Sequence, residues 1–202
     1  MAAVSNVTIA NLALSQLGDM RILSLNDDTK PAREVRAIFD TTRDAELRKH
    51  RWNFAIATAS LAALNETAPA PYTYVYSLPA DCLRIDLVGT FYPGVDLSDY
   101  RGGGGPREWE IRGRKIATDL GAPLAIRYGA RIEDPTQFDT MFVQALACSL
   151  AVSLAKPLTG STQERDAAEM RYRETMREAR TLDAVEDPPE NLPDDSWIMS
   201  RI

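Results

Sequence analysis

The residues best equipped for chemistry lie close together in "LRKHRWNFA", Leu47–Ala55, where Arg48, Lys49 and Arg51 surround His50 and precede Trp52. His50 is the chain's one histidine, so a serine or cysteine hydrolase of the usual kind would have to use it as base. No nucleophile elbow or Cys-His signature accompanies it. A histidine at a helix C-terminus meets carbonyls that need donors and a dipole that favours a cation, which makes a capping role the better reading. The same basic run offers nucleic acid some positive charge with one aromatic. Single-strand binders carry several stacking aromatics along a basic groove, and Asp40, Asp44 and Glu46 offset this run just upstream.

Other motifs also yield to plainer readings. Cys82, Cys148 and His50 are far apart and show no metal-ligand spacing, and the carboxylates form no calcium-loop pattern. "RGGGGP", Arg101–Pro106, lacks the Lys and Ser/Thr of a phosphate loop, and no helix pattern begins after it. Gly102, Gly103, Gly104 and Gly105 read instead as a flexible interface loop. No catalytic, cofactor or metal residue is assigned, and the expectation is a protein that is not an enzyme.

Two cysteines in 202 residues suggest no disulfide framework, with Cys148 expected buried on an apolar helix. A net charge of −6 and a pI near 4.9 argue against a surface that grips nucleic acid throughout. The N-terminus lacks a signal-peptide pattern, and the apolar run Phe142–Leu154 is shorter than the roughly 20 residues of a membrane span. A soluble product without membrane attachment is expected.

The elements around these residues follow from periodicity. Val7, Ile9, Ala10, Ala13, Leu14 and Leu17 predict a helix over about 6–17, stopped by Gly18. A second is predicted over 30–52, capped by Asp28 or Thr29, with Pro31 in its first turn. Val35, Ile38, Phe39, Thr42 and Ala45 would face inward, and Arg43, Asp44 and Glu46 would share a solvated charged face. From 53 to 132, short segments broken by Pro and Gly predict an antiparallel β region. In it Tyr72, Tyr74 and Tyr76 lie on one side, and a hairpin turns at Gly113 and Arg114. Asp134, Pro135 and Gln137 mark the start of a buried helix over 135–156. A second capping box at Ser161 opens a helix over 162–185, whose thin stripe of Ala168, Tyr172, Thr175, Ala179 and Leu182 suits one partner helix.

The expected fold class is therefore α+β: a bundle of about four helices with a small antiparallel β-sheet region and an extended C-terminal tail. Residues 1–186 form one domain and 187–202 an arm. In that arm Pro188, Pro189 and Pro193 forbid helix and acidic residues favour solvent, yet Trp197, Ile198 and Met199, with Arg201 and Ile202, compose an apolar anchor for a partner.

Several of these strings occur in an order that resembles the tail tubular protein A family of short-tailed bacteriophages and prophages. They are "ALSQLGDMRILSLNDDTKPAREVRAIFDTTRDAELRKHRWNFA", "PYTYVYSLPADCLRI" and "WEIRGRKIATDLGAPLAIRYGARIEDPTQFDTMFVQALACSLAVSLAKPLTGS". The resemblance spans Ile9 to about Ser161. It implies a structural virion protein, a head-to-tail adaptor at the head-tail junction that resides in host cytoplasm before assembly. The implied partners are the portal protein, the tail nozzle protein and further copies of the chain in a ring, dodecameric when assembled. Double-stranded DNA would pass through the ring without sequence recognition, and an acidic subunit suits such a channel. The C-terminal arm would serve the portal or a neighbouring subunit. The alternative is a small nucleic-acid-binding regulator or enzyme using the basic helix end around His50.

Overall fold

The computed structural model describes residues 4–89 and 109–186. It is α+β, with four helices and two small antiparallel sheets of three strands. The chain divides into two compact units: one joins residues up to Ile56 with Gly129–Glu186, and the other contains Ala57–Tyr128.

In the helical unit, α1 (Asn6–Gln16) begins at Ser5, whose side chain accepts the Thr8 N–H. Ile9, Ala10, Ala13 and Leu14 are buried, and Gly18 turns the chain with φ 68°. The Asn11 side chain then both donates to the Ile22 carbonyl and accepts its N–H, at 2.9 and 2.8 Å, fixing the following loop. Helix α2 (Lys30–Lys49) is capped by Thr29 and ends three residues before the expected 52. His50 is already extended, and the Glu46 carbonyl, which a longer helix would bond to the His50 N–H, accepts the Trp52 indole N–H at 3.0 Å.

The start of α3 (Thr140–Thr159) also differs from expectation. Asp134 caps only a 3₁₀ turn, Pro135–Gln137, and the chain restarts as α-helix after Asp139, which accepts from the Met141 and Phe142 N–H groups. At the other end α3 runs past Pro157 to a left-handed Gly160, with the Pro157 carbonyl taken by the Lys30 ammonium. At 20 residues α3 is long and apolar enough to cross a membrane by length and composition, unlike the shorter run expected. Here it is the central helix: ten of its residues are buried, and α1, α2 and α4 (Thr162–Glu186) pack around it. Helix α4 opens with the Glu164 N–H on Ser161 Oγ. Its stripe holds Ala168 and Ala179 as expected, but Met176 completes it, Leu182 is exposed, and the helix it packs on is α3 of the same chain.

The strand unit contains β1 (Ile56–Leu61), β2 (Tyr74–Ser77), β3 (Cys82–Val88), β4 (Trp109–Arg112), β5 (Lys115–Thr118) and β6 (Leu124–Ala130), although β1 and β6 begin or end at its border. One sheet has the order β1-β6-β3 and the other β2-β5-β4. The expected hairpin joins β4 to β5 through Gly113 at φ 63°, with Ile111 opposite Ile116. Tyr76 also lies opposite Ile116 and both are fully buried, whereas Tyr74 is exposed, so the three tyrosines do not share one environment. Arg114 does more than turn the hairpin: its guanidinium donates to the carbonyls of Pro79, Ala80 and Cys82 and anchors the turn before β3.

Candidate functional site

Helix α2 carries an inward stripe at Ala32, Val35, Phe39, Arg43, Glu46 and Leu47. The spacing of four, four and three from Val35 places Arg43 and Glu46 on that same face. Both are therefore buried, at 5% and 0% exposure, while Ala45 is exposed; the solvated face expected for the two charges and the inward place expected for Ala45 are both corrected. Burying a charge without partners is prohibitive, so each has acquired partners. Arg43 reaches Asp40 at 3.0 Å and Asp44 at 2.9 Å, and the other Asp44 oxygen accepts from Arg131 at 2.7 Å.

Glu46 is the more consequential. Its Oε1 accepts from the Lys49 ammonium at 2.6 Å and from Ser149 Oγ at 2.7 Å, and its Oε2 accepts from the Tyr172 hydroxyl at 2.9 Å. Lys49 also donates to the Tyr172 oxygen at 3.0 Å, which leaves that hydroxyl's proton for the carboxylate. One side chain thus fastens α2, α3 and α4. Burial, followed by the Glu46 charge and hydrogen bond, pushes the Tyr172 phenol above the ordinary tyrosine range, although Lys49 opposes this. Burial by itself would lower Lys49, but its bonds to Glu46 and Tyr172 and the Glu46 charge outweigh that and hold it above the usual lysine value.

One turn later, His50 occupies the C-cap position of α2, but its ring turns to α4, and the Glu46 carbonyl is taken by Trp52 instead. The His50 Nε2 lies 2.9 Å from Asp183 Oδ2 on α4, and its ring meets Trp52 edge-on at 4.8 Å. The other Asp183 oxygen accepts the Asn53 N–H, and the Asp183 carbonyl accepts from the Asn53 amide. Trp52, 1% exposed, continues through Phe142 to Phe54 and Phe138 in a chain of rings 5.0–6.2 Å apart.

No protein-family model matches the chain, and no curated protein matches it.

Chemically, the α2 end is saturated. Ser149 beside Glu46 has the composition of a nucleophile with a base, but the Glu46 side chain has no exposed surface, its Oε1 is shared with an ammonium, and Ser149 lines neither described groove. Among the described residues no group of three or more His, Cys, Asp or Glu is placed to hold a metal. Cys82 and Cys148 are buried thiols that are not joined in a disulfide, and Cys148 lies on α3, where Gln16 approaches its sulfur at 3.4 Å. Gly102–Gly105 and the anchor residues Trp197, Ile198, Met199, Arg201 and Ile202 lie outside the described residues.

Open polar groups occur instead along the flanks of α4. Toward α2, a groove is lined by Arg173, Met176, Arg177, Arg180, Ala184 and Val185, with Tyr172 and Thr181. Toward α1, a smaller groove is lined by Glu174, Glu178 and Arg171 with Gln16, Gln144, Cys148 and Thr175. Sequence reading missed these grooves because charges on a long helix alternate in the chain, and which of them border a groove is settled only once the buried stripe is known.

Proposed function

We propose that the chain is a head-to-tail adaptor: a structural virion protein, not an enzyme, that forms a ring between portal and tail nozzle and lets duplex DNA pass without reading its sequence. The observation that carries this reading is where the family-like strings fall. "LGDMRILSL" contains Gly18 and the Ile22 held by Asn11; "LRKHRWNFA" contains His50 at the C-cap position, the buried Trp52 and the Asn53 that grips Asp183; "DPTQFDTMF" contains the two successive caps and Phe138 and Phe142. These residues fasten the helical unit, so a likeness concentrated in them supports a shared fold; the assembly role rests on the ordered strings resembling that family rather than on fold alone.

The alternative use of the basic helix end draws little support, because Lys49 and His50 are committed to Glu46, Tyr172 and Asp183, and Arg48 and Arg51 are likewise engaged. Mixing the purified chain with its cognate portal and imaging the product by electron microscopy tests the proposal. A ring seated on the portal is expected at micromolar concentration. A portal that remains bare would overturn the reading, and specific DNA binding abolished by replacing Arg48, Lys49 and Arg51 with Ala, in a folded variant, would favour the alternative.

A further inference from the structure

The two flanks of α4 differ in charge. On one side Tyr172 bonds to Glu46 and Lys49 of α2, and the adjacent groove presents Arg173, Arg177 and Arg180, with no carboxylate among the described residues that line it. Arg173 is paired with Glu169 at its upper end, while Arg177 and Arg180 have no ion pair among the described residues. Val185 at the lower end is 75% exposed. On the other side Arg171 donates to the Gln16 carbonyl of α1, and Glu174 and Glu178 face outward. The loop that continues from α1 exposes Met20 at 78% and Leu23 at 93%.

That loop is already shaped for contact. Asn11 clamps Ile22 through two hydrogen bonds, Asp27 accepts from the Leu23 and Ser24 N–H groups at 2.9 and 3.0 Å, and Asp19 accepts from the Met20 N–H. Apolar side chains on a backbone fixed in this way lose little conformational freedom on binding. Its carboxylates, Asp19, Asp27 and Asp28, outnumber its one base, Arg21, so the loop and the Glu174/Glu178 flank carry the same sign.

We infer that these flanks are the two halves of one self-association surface: the Arg177/Arg180 flank of one copy receives the Glu174/Glu178 flank and the Met20–Leu23 loop of the next. The charges are complementary between copies, and the halves are different patches, one on either side of the stripe that α4 buries at Ala168, Met176 and Ala179. The contact is therefore heterologous, head to tail, and propagates around a ring when the rotation closes. Opposed charge sets the register and the apolar pair supplies buried area. The inference rests on the adaptor reading for its occupant, a second copy, and names the faces that reading leaves unspecified.

Charge reversal tests it. Arg177→Glu with Arg180→Glu makes both flanks acidic; Glu174→Arg with Glu178→Arg makes both basic. All four positions are exposed, so each variant should fold, as its melting curve will show. Assembly is followed by mass photometry and electron microscopy, on the cognate portal and with the chain alone at moderate salt. Each variant by itself should require at least about ten-fold more protein than wild type to form rings, and an equimolar mixture should regain wild-type assembly, because every flank then meets its opposite. A photo-crosslinker replacing Leu23 should join to 173–185 of a second copy. Variants that assemble normally, a mixture that is not rescued, or crosslinks confined within one chain would overturn the inference while wild-type rings leave the adaptor reading standing. Absence of wild-type rings both on the portal and alone would overturn both.

Discussion

The end of α2 and the outer flank of α4 are both dense in charge and share Tyr172, yet they differ in how their polar groups are used. At Glu46 every oxygen is engaged and the site is closed; at Arg177 and Arg180 the guanidinium groups face solvent. The first arrangement spends its hydrogen bonds on holding helices together, and the second keeps them for something outside the unit. A cluster of chemically capable residues is therefore a weaker sign of function than a cluster left incomplete.

The largest effect that would sharpen this contrast is expected at Trp52. Trp52→Ala removes a fully buried ring, breaks the contact with Phe142 and leaves the Glu46 carbonyl without its donor. Denaturant titration should show a loss of about 3–5 kcal/mol. A loss below about 1 kcal/mol would mean that the aromatic chain is not part of the core.

Glu46→Ala comes next. It strands the Lys49 ammonium and the hydroxyls of Ser149 and Tyr172 at once, and a loss on the order of 3 kcal/mol is expected by the same measurement. If the pocket were instead a reacting centre, Glu46→Gln would abolish function in a protein of normal stability. Here portal binding should survive Glu46→Gln wherever the variant remains folded.

These two residues also mark what could be read from the chain itself. The four helices, the hairpin at Gly113 and the α+β class follow from periodicity and turn chemistry, which are local. Periodicity carries α2 three residues too far because its terminator, the Trp52 indole on the Glu46 carbonyl, is a side-chain contact across six positions that no propensity encodes. Charge alone assigns Glu46 to solvent, although the spacing puts it on the Val35–Phe39–Arg43 stripe. Its partners were not visible: Ser149 and Tyr172 lie more than 100 positions away, and only the packing of α3 and α4 brings them in.

A smaller effect is expected with pH. Tyr172 and Lys49 both hold their protons more tightly in the folded chain, so their contribution is fully present below the ordinary values of about 10 for tyrosine and 10.4 for lysine. It is lost as pH rises through the raised folded values, because the native state then binds more protons than the unfolded one. Melting temperature should fall across that alkaline window, and Tyr172→Phe should lessen the fall. A steeper fall in the variant would reverse the assigned sign.

The smallest effect on stability tests the other half of the contrast. Arg177→Ala with Arg180→Ala removes two exposed guanidinium groups that bridge nothing among the described residues, so the midpoint of unfolding should move by no more than about 0.5 kcal/mol. A loss as large as that at Glu46 would show that the flank is braced within its own unit. If stability is unchanged while assembly weakens and becomes less sensitive to salt, the arginines act between copies, since exposed charge attraction is screened within about 10 Å at 0.1 M ionic strength. The two measurements on one variant then separate a group that holds the subunit together from one that holds subunits to each other.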